Sequence, residues 1–317
     1  MSEVKSKATR VSYGEAVTEL AREHNDIVVL DADLSSATKT DIFRKEFPER
    51  HIQCGVAEQN MMNVAAGLST TGLVPFASTF AMFAAGRAFE MVRNTIGYGH
   101  LNVKIAATHG GVSVGEDGAS HQCCEDFALM RSIPGMTVLC PADDIEAKAM
   151  VKAAYEQEGP VYLRFSRAAS PLIHDETYTF TIGKGEVLRD GRDAAVIAVG
   201  LPVSEALKAA EKLAAEGIQI RVVNMGSLKP VDEELILRCA RECGKIVTVE
   251  EHTVIGGLGD AVSAVTSAHE PVPVIRLGVQ DEFGHSGSAA ELLNEFGLTA
   301  DTIAETVRDM MLEHTAV

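Results

Sequence analysis

Residues 108–122 carry the side chains best suited to chemistry in this chain. Their sequence, THGGVSVGEDGASHQ, combines two histidines and two adjacent carboxylates with several glycines. The segment follows an apolar run at residues 103–107 that predicts a buried strand, and α/β proteins place their chemistry on such loops. We therefore expect His109, Asp117 and His121 to converge on one polar substrate.

Two other chemistries fit parts of this segment. Gly111 to Gly115 match the G-x-S-x-G pattern, with Ser113 as the nucleophile of a serine hydrolase, and the preceding His-Gly-Gly resembles an oxyanion segment. In hydrolases that segment lies on an earlier βα loop, whereas here the two patterns share Gly111, so the hydrolase interpretation is disfavoured. A zinc or iron site at the two histidines and Asp117 has suitable ligands but irregular spacing. Hydrogen bonding to a substrate is favoured over both.

A second candidate group surrounds Glu58, which lies in the first turn of a helix predicted at residues 56–69. A carboxylate is stabilised at this position by the helix dipole, so it is common there without any further role. The neighbouring residues are small or apolar, however, and indicate that Glu58 faces a packed region. Phe80 and Phe83 follow at a spacing of three, which places them on one face if they are helical. Such an aromatic pair beside a buried glutamate could hold a flat heterocycle.

Alternating strands and helices must position these residues. Apolar runs predict strands at residues 26–30, 103–107, 137–140, 161–165, 194–199, 218–223, 245–249 and 274–278. Amphipathic patterns predict helices at residues 56–69, 83–96, 145–156, 202–216, 257–267, 288–296 and 300–313. This rhythm predicts the α/β class, with parallel sheets covered by helices.

The alternation is interrupted once. Residues 170–184 contain proline, glycine, threonine and tyrosine without a helical period, which is typical of an interdomain segment. We predict one domain at residues 1–175, a linker at 176–192 and a second, smaller domain at 193–317.

The charge, the apolar runs and the cysteines of the chain limit which partners and which cellular compartment we expect. The 28 basic and 45 acidic residues give a net charge of −17, which argues against nucleic acid and against an anionic membrane surface. No run approaches the roughly 20 apolar residues of a membrane span, and the first residues lack a signal-peptide core. The six cysteines form no CxxC pair, so we expect reduced thiols and a cytoplasmic protein.

Several short motifs, taken in order, resemble the transketolase family. In the first half they are Ala-Asp-Leu at residues 32–34, residues 55–61, residues 79–83, the loop at residues 108–122, residues 141–143 and residues 163–167. These are similar to the pyrimidine-binding domain of transketolase. In the second half, residues 247–259 and 278–287 resemble the transketolase C-terminal domain. The resemblance covers nearly the whole chain.

The resemblance implies a thiamine diphosphate enzyme that moves a two-carbon ketol unit between sugar phosphates. In the family, the glutamate matching Glu58 bonds the cofactor's pyrimidine ring and activates the cofactor. The residues that it assigns to cofactor binding are Glu58, Phe80, Phe83 and Asp33. The residues that it assigns to substrate binding are Arg10, His109, Asp117, His121 and Arg167. Of these, the two histidines are also assigned a catalytic role, and the two arginines are expected to bind the phosphate of the sugar.

The chain departs from the family in two ways. It has no Gly-Asp-Gly motif, with which the family binds the diphosphate and Mg²⁺, and it is about half the length of an ordinary transketolase. The resemblance therefore implies a C-terminal subunit of a split transketolase that holds no metal itself. A separate N-terminal subunit would carry the diphosphate and Mg²⁺ site, and an α2β2 complex is expected. Ala37 stands where the family has a phosphate-contacting serine.

Other enzymes share this two-domain architecture. The β subunit of a 2-oxo-acid dehydrogenase and half of a deoxyxylulose phosphate synthase have the same two domains, but the paired histidines with Gly-Glu-Asp-Gly favour transketolase. A function of a different class is a non-catalytic assembly subunit. The presence of Glu58, Phe80, His109 and His121 argues against it.

Overall fold

The computed structural model describes residues 6–312 and confirms the α/β class. Its strands, in chain order, are β1 (Ser6–Ala8), β2 (Ile27–Asp31), β3 (His51–Gln53), β4 (Val74–Phe80), β5 (Lys104–Thr108), β6 (Thr137–Leu139), β7 (Val161–Phe165), β8 (Ala169–Pro171), β9 (Glu186–Arg189), β10 (Ala194–Ala198), β11 (Ile220–Asn224), β12 (Ser227–Lys229), β13 (Ile246–Thr253) and β14 (Val274–Val279).

Helices connect most of these strands. The α-helices are α1 (Thr9–Glu23), α2 (Ser35–Thr38), α3 (Thr40–Glu46), α4 (Glu58–Ser69), α5 (Phe89–Met91), α6 (Asp126–Arg131), α7 (Asp144–Glu156), α8 (Pro202–Ala215), α9 (Glu233–Cys243), α10 (Leu258–His269), α11 (Ala289–Glu295) and α12 (Ala300–Leu312). Short 3₁₀ segments lie at Pro48–Arg50 and Val112–Asp117, and π-helical segments at Met82–Arg87 and Val92–Gly97. Within residues 6–312, no helix is long and apolar enough to cross a membrane.

Two sheets organise the chain. The first has seven strands in the order β12-β6-β7-β5-β4-β2-β3, and the second has five in the order β14-β13-β10-β11-β9. The central pairs of both sheets are parallel, while β12 and β9 are antiparallel edge strands. The parallel strands β2, β4, β5 and β7 are buried along their whole length, because helices cover both faces of such a sheet.

Some elements differ from the sequence predictions. The segment predicted as one helix at residues 83–96 is two π-helical segments on either side of α5. Helix α1 was not predicted, although Tyr13, Ala16 and Val17 lie on its buried face at helical spacing. The predicted end of the last helix at residue 313 lies outside the described residues, as do residues 1–5 of the predicted first domain.

One strand lies in the connecting segment, and another crosses from the second half of the chain to the first sheet. Strand β9 lies inside the segment predicted as a linker, and it pairs with β11 in the second sheet. Its Val187 and Leu188 pack against apolar cores, which is why this part of the segment is ordered. Strand β12 belongs to the second half of the sequence but pairs with β6 in the first sheet.

A buried polar cluster ties the connecting segment to both halves. His174 Nδ1 lies 3.1 Å from Asp143 Oδ1, and its Nε2 lies 3.0 Å from Glu186 Oε2. Nearby, the buried carboxylate of Glu146 accepts hydrogen bonds from Asn224 Nδ2 and Tyr178 Oη. Burial lowers the pKa of His174, but the surrounding carboxylates outweigh it and raise the pKa above its ordinary value.

This cluster predicts a pH-dependent contribution to stability. Because the pKa of His174 is higher in the folded state than in the unfolded state, protonation of His174 stabilises the fold. This stabilisation is fully present below the unfolded-state pKa of about 6.5, and it is lost as the pH rises through the folded-state pKa. We expect the difference in unfolding free energy between wild type and His174→Gln to be largest near pH 6 and to shrink towards pH 9. Urea denaturation across this range measures it. A constant difference would contradict the prediction.

Candidate active site

Four neighbouring strands of the first sheet bring four of the predicted residues to one edge. Strands β7, β5, β4 and β2 are adjacent and parallel, so their carboxyl ends meet. Phe80 ends β4, His109 follows β5, and Arg167 and Asp33 come two residues after β7 and β2. The carboxyl edge of a parallel sheet is the usual place for a ligand site.

Glu58 is a buried carboxylate with an unused acceptor. It begins helix α4 and is only 2% exposed. Its Oε2 is buried and has no hydrogen-bond partner within residues 6–312. The guanidinium Nε of Arg87 lies 3.7 Å away, which allows an ion pair but is too long for a hydrogen bond. A buried carboxylate oxygen of this kind is suited to accept a hydrogen bond from a ligand.

Aromatic rings form one wall of the site. The structure does not place Phe80 and Phe83 on one helical face, since Phe80 ends a strand and Phe83 lies in a π-helical segment. Their rings still stack, with centroids 5.7 Å apart. The ring of His109 stacks on Phe80 at 3.8 Å, and His121 meets Phe83 edge-on at 5.4 Å. The wall can therefore pack against a flat heterocycle.

His109 is held as a neutral ring. It is 2% exposed and adopts a positive φ of 59°. Its Nε2 lies 3.3 Å from Arg10 Nη1, and its Nδ1 lies 2.8 Å from Thr108 Oγ1. Arginine can only donate, so Nε2 accepts and the proton is assigned to Nδ1. Burial, followed by the charges of Arg10 and Arg167, lowers the pKa of His109 to about 3.

Two arginines place positive charge beside this ring. Arg10 Nη1 also donates to the carbonyl oxygen of Ala37 at 2.9 Å. Burial lowers the pKa of Arg10, and the charge of Arg167 lowers it further. Arg167 Nη1 donates to Glu116 Oε2 at 2.6 Å and to the carbonyl oxygen of Val114. Arg10 Nε has no hydrogen-bond partner within residues 6–312, whereas at Arg167 an anionic ligand would compete with the Glu116 carboxylate.

Asp33 and Asp117 are placed differently from the other predicted residues. Both are exposed, and Asp33 adopts a positive φ of 67° while its backbone N–H donates to Gln53 Oε1. Within the described part of the chain, no hydrogen bond or ion pair joins either carboxylate to the aromatic wall or the arginines. His121 is partly buried, and its Nδ1 lies 2.9 Å from Ser120 Oγ.

The structure adds charged residues that sequence patterns did not single out. Arg87 lies beside Glu58, Glu116 pairs with Arg167, and the positive charge of Lys39 contributes to the low pKa of His109. The position of Glu116 in the Gly-Glu-Asp-Gly segment was a usable signal for its role. Arg87 had none, because its contact with Glu58 depends on how the π-helical segment packs against α4.

The hydrolase and metal interpretations gain no support from the geometry. Ser113 is 1% exposed, and its Oγ has no hydrogen-bond partner within residues 6–312. A serine nucleophile needs an adjacent base and access to substrate. Both ring nitrogens of His109 are occupied by Arg10 and Thr108, and the described residues contain no group of three or more metal-binding side chains.

Comparison with known proteins identifies the two halves. The transketolase pyrimidine binding domain matches residues 5–171, and the transketolase C-terminal domain matches residues 183–303. A transketolase C-terminal section of Methanocaldococcus jannaschii is 49% identical over 308 residues, covering 96% of each chain. The 6-deoxy-6-sulfo-D-fructose transketolase subunit SqwH of Clostridium sp. (strain MSTE9) is 41% identical, covering 95% of this chain and 94% of that protein.

A solved structure and a full-length enzyme complete the comparison. The structure described as a split gene transketolase, inactive beta4 tetramer, has 53% identity and a TM-score of 0.90, covering 96% of this chain and 98% of that one. Human transketolase is 40% identical over 308 residues, which are 96% of this chain but 49% of the human protein. The chain thus spans about half of a single-chain transketolase, and it belongs to the transketolase family as a C-terminal section with pyrimidine-binding and C-terminal domains.

Proposed function

We propose that this chain is the C-terminal subunit of a thiamine diphosphate-dependent transketolase that transfers a two-carbon ketol unit between sugar phosphates. The observation that carries the proposal is the buried, unpartnered Oε2 of Glu58 beside the stacked rings of Phe80 and Phe83. A charged acceptor next to an aromatic wall suits a protonated nitrogen heterocycle such as the cofactor's pyrimidine.

Glu58 and the two phenylalanines would hold that ring. Glu58 Oε2 would accept a hydrogen bond from the ring nitrogen, and the low exposure of the carboxylate would keep this bond away from water. Phe80 and Phe83 would pack against the ring face. When bound, the cofactor supplies the electron sink for ketol transfer, while the protein orients and tunes it. The exposed Asp33 would approach the cofactor only at the rim of the site.

The histidines and arginines would hold the sugar. His121 can donate or accept hydrogen bonds to carbonyl and hydroxyl groups of the sugar. His109 would do so in exchange for its present contacts with Arg10 and Thr108. Asp117 would accept from a sugar hydroxyl. Arg10 and Arg167 would bind the phosphate, for which a guanidinium is well shaped. Ala37 offers no hydroxyl to a phosphate, and its carbonyl oxygen accepts from Arg10 Nη1.

A separate chain would complete the site. The sequence contains no Gly-Asp-Gly motif for diphosphate and Mg²⁺, and the described residues contain no metal-binding cluster. The related split gene transketolase is described as an inactive beta4 tetramer. We infer that an N-terminal subunit carries the diphosphate and Mg²⁺ and that the active assembly is α2β2. The six free cysteines are consistent with our placement of the complex in the cytoplasm.

Reconstitution tests this proposal. The chain alone, with thiamine diphosphate and Mg²⁺, is expected to show no ketol transfer, whereas addition of a chain carrying the Gly-Asp-Gly site should produce it. Turnover is measured with sugar phosphates and, separately, with pyruvate. Full activity of the chain alone would contradict the split site. Activity only with pyruvate would instead favour a 2-oxo-acid dehydrogenase or a deoxyxylulose phosphate synthase, and no activity at all would favour an assembly subunit.

Glu116 is expected to weaken the binding of anionic substrates. Its carboxylate accepts from Arg167 Nη1 at 2.6 Å, so a phosphate must compete with it. Replacing Glu116 by Gln removes the competing charge, and we expect the KM for a sugar phosphate to fall about two- to fivefold, the range of an exposed ion pair. Steady-state kinetics of the reconstituted complex measure this. Glu216→Gln, which removes the partner of Arg308 elsewhere, should leave the KM unchanged.

A further inference from the structure

The second domain reaches into the loop that carries both site histidines. We call residues 108–122 the histidine loop. The side chain of Glu251, on β13 of the second sheet, accepts a hydrogen bond from the backbone N–H of Ser113 in the middle of this loop. At the end of the loop, Gln122 Nε2 donates to the carbonyl oxygen of His285 at 2.9 Å. Both contacts join residues more than 130 positions apart in the sequence.

Glu251 is closely fitted to the loop. It is 5% exposed, and a β-carbon added at Gly111 would lie 2.4 Å from its carboxyl carbon. Gly111 has a positive φ of 81°, so this close approach and this backbone shape both require glycine. The carbonyl oxygen of Glu251 also accepts from Arg164 Nη2 at 2.7 Å, which fixes the strand from which the carboxylate extends.

The loop is also held by its own domain. The N–H of Gly111 donates to the carbonyl oxygen of Cys123 at 2.8 Å, and Arg167 donates to that of Val114. The loop also contains positive φ values at His109, Gly115 and Gly118. Such conformations persist when the surroundings determine them. At the centre of the loop, the hydrogen bond from Ser113 to Glu251 comes from the second domain, and α11 of that domain packs against the same residues 112–117.

We propose that Glu251 is a positioning residue that holds the histidine loop in place, and with it the rings of His109 and His121 beside Phe80 in the aromatic wall. The expected effect of Glu251 on turnover rests on the proposed function, whereas its expected effect on the conformation of the loop does not. Glu58 and the phenylalanines lie on other segments, so loss of the Glu251 contact should disturb sugar binding and turnover more than cofactor binding.

Two variants of Glu251 distinguish the loss of this hydrogen bond from a general loss of stability. Glu251→Ala removes the acceptor for the Ser113 N–H, and Glu251→Gln keeps an oxygen acceptor of the same shape. Asp232→Ala is a matched control, because Asp232 is also buried and accepts from a backbone N–H, that of Leu235, but at the start of α9. Its loss should cost stability without touching the histidine loop.

Amide hydrogen exchange of the isolated chain tests the positioning directly. In Glu251→Ala, exchange at Ser113 and its loop neighbours should rise at least about fivefold, as expected when one buried hydrogen bond is lost. Glu251→Gln should stay near wild type, and Asp232→Ala should change exchange only around α9 and at Gly185, whose N–H also donates to Asp232. Unchanged loop exchange in Glu251→Ala, or equal acceleration in Glu251→Gln, would overturn the proposal.

Kinetics of the reconstituted complex give the functional readout. We expect kcat/KM for the sugar phosphate to fall about tenfold in Glu251→Ala, with the Kd for thiamine diphosphate unchanged and activity restored in Glu251→Gln. A parallel loss of cofactor affinity would show a general structural role and overturn the proposal. If the wild-type complex performs no ketol transfer, the proposed function fails, and the exchange data still decide whether Glu251 positions the loop.

Discussion

Replacing Glu58 by Gln is expected to lower the kcat of the reconstituted enzyme by about 10²- to 10⁴-fold, the usual contribution of a positioned acid or base. The carboxylate is buried, and its Oε2 has no partner in the described chain. Glutamine keeps the shape and an oxygen acceptor but removes the negative charge, which is what strengthens a hydrogen bond to a protonated ring. Ketol transfer by wild type and variant measures the loss.

The controls separate activation of the cofactor from assembly of the complex. Glu58→Ala should lose at least as much activity as Glu58→Gln, because it removes the acceptor altogether. Glu19→Gln, on the partly exposed surface of α1, should keep wild-type turnover. Assembly with the partner, followed by gel filtration, should be unchanged in all three variants. Wild-type turnover in Glu58→Gln would exclude Glu58 as the activating residue.

The parts of this site that could be predicted from sequence have local signals. The glycines, histidines and carboxylates of residues 108–122 stand out beside the apolar run that forms β5, and Glu58 opens an apolar helix. The signal for β4 was weaker. Pro75 interrupts its apolar pattern, and a strand buried on both faces shows no alternation, so no strand was predicted at residues 74–80.

The contacts between the two halves had no local signal at all. The bond from Ser113 to Glu251 and the pairing of β12 with β6 depend on how two sheets pack, and neither leaves a periodic pattern in the sequence. Pairing of Glu116 with Arg167 likewise joins residues from different loops. Sequence reasoning therefore identified residues at strand ends, and the structure supplied the charges and second-domain contacts that orient them.

Arg164 joins the two halves through a buried charge, and its loss should have the largest effect on stability. Its Nε lies 3.3 Å from Asp126 Oδ2, and the Asp126 carboxylate is fully buried. The guanidinium also lies 4.4 Å above the ring of Phe127. Its Nη2 donates to the carbonyl oxygens of Cys123 and Glu251, one from each half of the chain. Few neighbouring groups could take over all of these contacts.

Replacing Arg164 by Met is expected to cost about 3–5 kcal/mol of unfolding free energy, because it leaves the Asp126 charge buried without its cation. Adding Asp126→Asn should recover part of this loss, since the neutral amide needs no counter-charge and can still accept from Tyr162 Oη, which now donates to Asp126 at 2.8 Å. Urea denaturation measures both variants. Arg308→Met, which breaks an exposed pair with Glu216, should change stability little. A loss in Arg164→Met as small as in that control, or no recovery in the double variant, would show that the buried Arg164–Asp126 ion pair does not stabilise the fold.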